Sequence, residues 1–497
     1  MSSKVTINRL KTGVPGLDEI LGGGLPEFSF NLIGGTPGSG KTTLAHQMMF
    51  AMATPERPAL YLTVLGEPPL KMLRYQQQFE FFDDALLNKS VHFVNLSEDT
   101  LTGDLNQVLN RIVAEVGKIS PGLVFIDSFR SVVLANSDTG NADNSLQQFM
   151  QRLGMLMTSW QATTFLIGEY FTETDANPVF TVADGLFWLR QNVDRNSMVR
   201  KLEIMKMRGQ ATLPGLHNFR IGPSGLQVFA PANSAAAAWS SSHTTTPPTE
   251  RLTMGIAYLD DMLGGGLPRG YSLLVAGPSG SGKSTLAAAF LAEGARNGET
   301  GVLAAFEQNP NRSRNRTLAH LVAQGKVGVV ETQAPDLSLD EMVLLLLNEV
   351  RRLGASRVVL DSLSGFELAL APTFRPDFRE SLVRMVSALA ASGVSVLMTS
   401  ELEDRYTDLR FSPYGTAFLT DAIIVQRYIE LESHLRRVMA VVKVRGSVHS
   451  HELREFTIDE NGINIGSSLP GQEGLLGGRP TRRGLFADAG TTGAGND

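Results

Sequence analysis

A phosphate-binding loop that occurs twice constrains this chain more than any other feature. The first copy reads Gly35-Thr-Pro-Gly-Ser-Gly-Lys-Thr42 and the second Gly277-Pro-Ser-Gly-Ser-Gly-Lys-Ser284. Both fit the pattern G-x-x-x-x-G-K-[ST], whose glycines let successive backbone N–H groups turn toward phosphate oxygens. An apolar run precedes each loop and an alanine-rich, helix-forming run follows it. A strand, a loop and a helix N-terminus in this order bind anions, so the sequence predicts two nucleotide sites.

Each loop predicts a set of ATP-binding residues. Lys41 and Lys283 supply a positive charge to the β- and γ-phosphates, and the hydroxyls of Thr42 and Ser284 are placed to ligate Mg²⁺. We assign each loop and the residue after it to ATP binding: Gly35, Thr36, Pro37, Gly38, Ser39, Gly40, Lys41, Thr42 and Thr43, and Gly277, Pro278, Ser279, Gly280, Ser281, Gly282, Lys283, Ser284 and Thr285.

The two loops belong to a longer duplication. Segments 9–26 and 251–268 both end in Leu-Gly-Gly-Gly-Leu-Pro, and the spacing of their first residues (251 − 9) equals that of the loop lysines (283 − 41). An ungapped repeat of this size indicates a duplicated domain. A chain of 497 residues is also too long for a single core. We predict domains over 1–229 and 249–466, a linker over 230–248 and a flexible tail over 467–497.

Each half alternates strand-like and helical stretches. Near-continuous apolar strands such as 123–126 and 357–360 are separated by helical stretches such as 105–116 and 339–352. This pattern is typical of an α/β fold with a buried, mostly parallel twisted sheet flanked by helices. Late strands such as 201–207 follow short turns, so we expect them to pair antiparallel at one edge of the sheet.

Composition excludes several classes of protein. The net charge of −6 offers no electrostatic attraction to nucleic acid or to anionic membranes. The absence of cysteine rules out disulfides, zinc–thiolate sites and cysteine nucleophiles. The N-terminus lacks the apolar core of a signal peptide, and no apolar stretch of about 18 residues could span a bilayer. We therefore expect a cytoplasmic protein without a membrane partner.

A second Mg²⁺ ligand should end an apolar strand after each loop. Asp127 closes the run 123–127, and Asp361 closes the run 358–361. An aspartate in this position also caps helices, which is the alternative reading. Its recurrence beside a phosphate loop favours the metal role, so the predicted Mg²⁺ ligands are Thr42, Asp127, Ser284 and Asp361.

Hydrolysis also requires a group that orients or deprotonates the attacking water. The strand after the loop helix should deliver it, and in the second half Glu307 occupies that position. In the first half Leu65 and Gly66 stand there, and Glu67 follows one or two residues late. Glu67 either reaches the water through a bend in the loop or is a solvated loop residue. We therefore expect the first site to bind ATP with impaired or altered hydrolysis.

Both halves carry a Lys-x-Arg pair near their end. Lys206 and Arg208 recur as Lys443 and Arg445, at the same distance from a preceding aspartate. Alternation along a strand places both cations of a pair on one face. The alternative is a solvated edge strand. Paired cations far from the loop in sequence suit a finger that stabilises γ-phosphate charge from a neighbouring domain. A protein whose site is completed in trans must assemble in a ring or a filament.

Taken in order, these features resemble the KaiC family of RecA-like ATPases. The shared series is the Arg-x-x-x-Gly…Leu-Asp…Leu-Gly-Gly-Gly-Leu-Pro entry, the loop, the Asp-Ser strand end and the Lys-x-Arg-Gly exit, over residues 7–228 and 249–466. The resemblance implies two tandem RecA-like P-loop NTPase domains. It also implies a two-tiered homohexamer with ATP between subunits, ATPase activity in the first tier and serine/threonine autokinase activity in the second.

The chain departs from the family pattern at two places. The family carries a pair of glutamates after each loop helix, whereas this chain has Leu65-Gly66 in the first half and Glu307-Gln308 in the second. The family also carries an adjacent Ser-Thr pair of phosphate acceptors in the second half. Ala417 and Phe418 occupy those positions here, flanked by Thr416 and Thr420.

Three functions remain open on the sequence alone. The first is an oligomeric Mg²⁺-dependent ATPase that signals or regulates through an unidentified protein partner. The second is a serine/threonine autokinase that uses a substitute acceptor. The third is a RecA-like DNA motor, and the acidic net charge and the lack of a basic tail weigh against it.

Overall fold

The computed structural model describes most of the chain as two compact units. The units are Met1–Pro231 and Ala232–Asp497. The described residues are 7–63, 69–96, 105–128, 142–170, 178–194, 197–231, 250–306, 316–331, 337–402, 419–431, 433–460, 462–468, 472–473 and 481–482.

The first unit contains eleven described strands, six described α-helices and one described 3-10 helix (Asp84–Leu86). The strands are β1 (Arg9–Leu10), β2 (Leu25–Pro26), β3 (Phe30–Gly35), β4 (Ala59–Thr63), β5 (Val91–Asn95), β6 (Leu123–Asp127), β7 (Thr163–Glu169), β8 (Gly185–Asp194), β9 (Ser197–Met207), β10 (Leu216–Gly222) and β11 (Gly225–Val228). The helices are α1 (Leu17–Ile20), α2 (Lys41–Met52), α3 (Pro69–Gln76), α4 (Leu105–Ile119), α5 (Ala142–Ser159) and α6 (Pro178–Val182).

The second unit repeats this plan in its described residues. Its strands are β12 (Arg251–Leu252), β13 (Leu267–Pro268), β14 (Ser272–Gly277), β15 (Gly301–Ala305), β16 (Val327–Glu331), β17 (Arg357–Asp361), β18 (Ser395–Glu401), β19 (Ala422–Leu431), β20 (His434–Val444), β21 (Arg454–Asp459), β22 (Gly462–Ser468), β23 (Gln472–Glu473) and β24 (Thr481–Arg482). Its helices are α7 (Leu259–Met262), α8 (Lys283–Arg296), α9 (Arg316–Ala323), α10 (Leu339–Leu353), α11 (Leu363–Ala369) and α12 (Phe378–Ala391).

A nine-stranded sheet runs through each unit. The order is β11-β10-β9-β8-β3-β7-β6-β4-β5 in the first unit and β16-β15-β17-β18-β14-β19-β20-β21-β22 in the second. The strands from β8 to β5 pair parallel, whereas β8, β9, β10 and β11 pair antiparallel with one another in turn. The second sheet has the same division. The predicted α/β class of two tandem RecA-like domains is therefore confirmed, and the expected antiparallel edge is present.

Helices cover both faces of the first sheet. Alternate side chains of β4 and β6 point to opposite faces, as the pleat requires. Tyr61 and Phe125 pack with Met48 of α2 on one face. Leu60 and Val124 pack with helices α4 and α5 on the other. The loop helix α2 therefore lies against one face of the strands that carry the predicted site.

Helix α10 shows how local sequence sets an element. Apolar residues recur at helical spacing and are buried (Leu339, Met342, Val343, Leu346, Leu347 and Val350). The Ser338 hydroxyl accepts a hydrogen bond from the Glu341 backbone N–H at 3.2 Å and caps the first turn. Gly354, with φ of 61°, ends the helix in the left-handed conformation that glycine adopts without strain.

Candidate nucleotide sites

The two loops lie at the carboxyl ends of buried central strands. Strand β3 ends at Gly35 and helix α2 begins at Lys41, and β14 and α8 flank the second loop in the same way. The residue before each helix, Gly40 or Gly282, has φ of 103°. A side chain in this region of φ is strained, so glycine is required for the loop to enter its helix.

In the first unit the loop meets the strand-end aspartate. The Thr42 hydroxyl donates a hydrogen bond to Oδ2 of Asp127 at 2.9 Å, across 85 positions of sequence. The Tyr61 hydroxyl donates to the same oxygen at 2.7 Å. Lys41 Nζ donates to the carbonyl of Thr36 within the loop at 2.8 Å. The predicted lysine (Lys41), hydroxyl (Thr42) and carboxylate (Asp127) thus lie together at the carboxyl ends of the strands.

Lys41, Thr42 and Asp127 line a cavity of about 410 Å³, together with Glu169 at the end of β7. Burial raises the pKa of Asp127, and the hydrogen bonds from Tyr61 and Thr42 and the charge of Lys41 oppose that rise. Burial lowers the pKa of Lys41, and the carboxylates of Glu169 and Asp127 oppose that fall. The cavity therefore brings one cation and two carboxylates together in a poorly solvated space, where charges interact strongly.

Sequence reasoning missed two of these residues, Tyr61 and Glu169. Tyr61 lies inside the apolar strand β4, where nothing in the local sequence distinguishes it from a core residue. Glu169 ends β7, which pairs parallel with β3 and places Glu169 level with Gly35. The available signal was that a carboxylate at the carboxyl end of a parallel strand lies on the same side of the sheet as the loop. The signal identifies Glu169 only when the order of the strands is known, because the order decides which strand lies next to β3.

The second loop has a related but different arrangement. Lys283 Nζ donates to the carbonyls of Gly277 at 2.9 Å and Pro278 at 2.7 Å. Asp361 Oδ1 accepts a hydrogen bond from the Thr399 hydroxyl on β18. The aspartate of each unit is therefore held by a hydroxyl from a neighbouring strand, but that strand is β4 in the first unit and β18 in the second. The peptide bond after each aspartate is cis.

The Lys-x-Arg pairs lie at the amino ends of the parallel strands, whereas the loops lie at the carboxyl ends. Arg208 Nη1 contacts Asp184 Oδ1 at 3.1 Å, and Arg445 Nη1 contacts Asp421 Oδ1 at 3.1 Å. Lys206 Nζ donates to the carbonyl of Thr181 at 3.2 Å. Lys443 Nζ donates to the carbonyl of Thr420 at 2.6 Å.

The strand register gives the distance between the Lys-x-Arg pair and the loop. Met207 is level with Gly185 on β8, which is level with Asn31 at the start of β3. Gly35 lies four residues further on, which is about 13 Å along the strand. Neither unit therefore brings its own Lys-x-Arg pair to its own loop.

Several predicted residues lie outside the described part of the chain. These include both predicted water-activating carboxylates, Glu67 and Glu307, and three of the residues around the acceptor positions, Thr416, Ala417 and Phe418. Thr420 is described and is fully buried.

The donor atoms present at the first site suit Mg²⁺. That ion uses one or two protein oxygen ligands together with waters and substrate phosphates. Thr42 and Asp127 supply a hydroxyl and a carboxylate within hydrogen-bond distance of each other. Among the described residues no group of three or more His, Cys, Asp or Glu side chains could form an all-protein metal site.

We expect the first unit to lose stability as the pH falls below 6.5. His46 is fully buried on α2, and its ring stacks on Tyr61 with 4.5 Å between centroids. Burial lowers the pKa of His46 from 6.5 to about 3. Between these values the unfolded chain binds a proton that the folded chain does not, so acid favours unfolding. The free energy of unfolding should drop by about 1.5 kcal/mol between pH 6.5 and pH 5.

Urea denaturation at several pH values measures this effect. Fluorescence of Trp160 and Trp188 reports on the first unit, which contains both residues. The variant His46→Phe keeps an aromatic ring against Tyr61 but cannot titrate, so its stability should change less over the same range. Equal pH slopes in the two proteins would contradict the assignment to His46.

Among the described residues no helix is long and apolar enough to cross a membrane.

Two phosphate loops, each beside a strand-end aspartate in a mostly parallel sheet, define a tandem RecA-type P-loop nucleotide-binding protein. A model of the KaiC ATPase family matches residues 10–233 and 252–469. The chain therefore belongs to the KaiC family of ATPases, as the sequence analysis predicted.

Similar proteins span nearly the whole chain at modest identity. The circadian clock oscillator protein KaiC of Picosynechococcus sp. is 27% identical over 490 residues, covering 96% of this chain and 93% of its own length. The circadian clock protein KaiC3 of Synechocystis sp. is 28% identical over 488 residues, covering 95% of each chain. The KaiC of Prochlorococcus marinus is 26% identical, covering 97% of each chain. The family relation thus includes both halves.

Proposed function

We propose that this protein is an Mg²⁺-dependent ATPase that binds ATP at both loops. One observation carries the proposal: the Thr42 hydroxyl and the Asp127 carboxylate meet at 2.9 Å, beside the loop lysine. A loop hydroxyl and a strand-end carboxylate held this way are the protein ligands that P-loop enzymes offer to Mg²⁺. Ser284 and Asp361 are the corresponding pair in the second unit.

Each group has a defined task at the site. The loop N–H groups and the lysine bind the phosphates, and the hydroxyl and the carboxylate hold Mg²⁺. Mg²⁺, when bound, neutralises charge on the phosphate oxygens. Tyr61 and Thr399 orient the two aspartates through hydrogen bonds. In the second unit Glu307 remains our candidate for activating the attacking water.

We further propose that the sites are completed by a second copy of the chain, in a homohexameric ring. Arg208 and Arg445 lie at the end of the parallel strands opposite to their own loops, and both side chains are more than half exposed. A cation so placed can reach a triphosphate on an adjacent subunit, and head-to-tail contacts of this kind close into rings. The expected task of these residues, with Lys206 and Lys443, is to stabilise γ-phosphate charge.

A mixing experiment tests hydrolysis and sharing together. One variant carries Lys41→Ala and Lys283→Ala, and the other carries Arg208→Ala and Arg445→Ala. We expect each to hydrolyse ATP at least about 100-fold more slowly than wild type, because each lacks one part of every site. Mixing the two before adding Mg-ATP should restore part of the turnover, because mixed rings contain some complete sites. Native mass spectrometry of the same samples reports assembly.

The outcomes separate the two proposals. Wild-type protein that neither binds nor hydrolyses ATP would refute the ATPase. Turnover without recovery in the mixture, from protein that stays monomeric with Mg-ATP, would refute the shared site and leave the ATPase standing.

The autokinase is not favoured by the described residues. The Thr420 side chain is fully buried and its backbone carbonyl accepts from Lys443, while Ala417 and Phe418 carry no hydroxyl. Intact mass after incubation with Mg-ATP tests this, with Lys283→Ala as control, and an added phosphate would revive the autokinase. A regulatory protein partner and a cytoplasmic location remain predictions from the sequence.

A further inference from the structure

We propose that Glu169 is the catalytic carboxylate of the first site, which accepts a proton from the water that attacks the γ-phosphate. The proposal rests on the proposed ATP hydrolysis. It assigns a residue to the task for which the sequence offers only Leu65, Gly66 and the displaced Glu67.

The sheet places Glu169 beside the loop. Strand β7 lies between β3, which carries the loop, and β6, which carries Asp127. Glu169 is level with Gly35 on one side, and Ile167, two residues earlier, is level with Asp127 on the other. Residues two apart on a strand point to the same face. Ile167 packs in the core with residues of α2, so Glu169 points to the face where the loop helix begins.

The surroundings of Glu169 are those of the predicted site. Its side chain lines the same cavity as Lys41, Thr42 and Asp127. Glu169 therefore faces the same space as the lysine that is proposed to bind the β- and γ-phosphates.

The second unit offers a matched comparison. Glu401 ends β18 and is level with Gly277, the same register as Glu169 and Gly35. Glu401 is exposed, whereas Glu169 is partly buried within the cavity. The second unit also has Glu307 two residues after the end of β15, where the first has Leu65 and Gly66. We infer that the water-activating carboxylate comes from the strand beside the loop strand in the first unit only.

The reaction needs no further reactant. The water oxygen forms a bond to the γ-phosphorus while the bond from that phosphorus to the bridging oxygen breaks, and the electron pair of the broken bond stays on ADP. One proton of the water passes to a carboxylate oxygen of Glu169. It then leaves to inorganic phosphate or solvent, which restores the carboxylate. A carboxylate positioned for this transfer contributes about 100-fold or more to the rate.

The test uses the full chain with the second loop disabled by Lys283→Ala. In this background Glu169→Gln keeps the size of the side chain but removes the proton acceptor. We expect turnover to fall about 100-fold while affinity for a fluorescent ATP analogue changes less than threefold. Glu169→Asp should give an intermediate rate, because it retains the carboxylate one methylene further back. The matched control, Glu401→Gln in a Lys41→Ala background, should keep turnover within threefold of its parent.

Three results would overturn the assignment. Glu169→Gln could keep turnover within threefold of the parent, most decisively if Glu67→Gln abolishes it. Glu169→Gln could lose ATP affinity in proportion to turnover, which would make its role one of binding. The Lys283→Ala parent could bind ATP without turning it over, which would leave Glu169 no reaction to assist. A parent that binds no ATP would instead refute the proposed function of the first loop.

Discussion

Replacing Arg357 by methionine is expected to lower the free energy of unfolding of the second unit by about 3 kcal/mol. The Arg357 side chain is 1% exposed, and its Nε donates to Glu299 Oε2 at 2.6 Å. Its Nη1 donates to the carbonyls of Thr253 at 2.8 Å and Phe290 at 2.9 Å. Its guanidinium also lies 4.6 Å from the centre of the Phe290 ring.

The cost arises from what the substitution leaves behind. Two carbonyls lose a buried donor, and Glu299 loses its buried counter-charge. Arg269 still contacts Glu299 at 3.0 Å, so the carboxylate keeps one partner and the cost stays near the lower end of the range for broken buried pairs.

Arg269 also provides the matched control, because it binds the same carboxylate from a position that is 34% exposed. Arg269→Met should cost less than about 1 kcal/mol. Denaturation followed by circular dichroism measures both variants. The tryptophans with described positions, Trp160 and Trp188, lie in the first unit, and their fluorescence transition should not move. Equal losses of unfolding free energy in Arg357→Met and Arg269→Met would contradict the claim that burial of the Arg357 guanidinium causes the larger loss.

Gly282→Ala is expected to weaken ATP binding at the second loop by at least about 30-fold. Gly282 has φ of 103°, and an added Cβ would lie 2.5 Å from Cδ1 of Ile458 on β21. The backbone strain is about 1 to 2 kcal/mol and the overpacking about 1 to 3 kcal/mol. A loop that moves to relieve about 2 kcal/mol loses its phosphate-binding geometry, and about 2 kcal/mol corresponds to roughly 30-fold in affinity.

A control glycine lies at the other end of the same helix. Gly298 follows α8 with φ of 81°, and an added Cβ there meets no atom within 4 Å. Gly298→Ala should therefore cost about 1 to 2 kcal/mol of stability from strain alone and leave ATP affinity unchanged. Titration of a fluorescent ATP analogue in a Lys41→Ala background measures both variants. Retained affinity in Gly282→Ala would contradict the requirement for glycine at this position.

Much of this architecture could be predicted from local patterns. The phosphate loops are contiguous in sequence, and Asp127 and Asp361 each end an apolar run. Predicting the loops and the two aspartates therefore required no knowledge of the fold. The α/β class followed from strands and helices that alternate at readable periods. Contacts between separate strands were out of reach. Tyr61 reads as a core residue until β4 is placed beside β6, and nothing local marks Thr399 as the partner of Asp361.

The sequence by itself determined that the chain is a duplicated P-loop protein with two phosphate-binding loops, because eight adjacent residues encode each loop. It also indicated that the two sites differ, since Glu307 has no aligned counterpart at Leu65 or Gly66. Only the tertiary structure decided which groups surround each loop. The order of the strands places Glu169 beside Gly35 and places Arg208 at the opposite end of the parallel strands. Local sequence does not determine these positions, because pairing between strands distant in sequence is set by packing of the whole sheet.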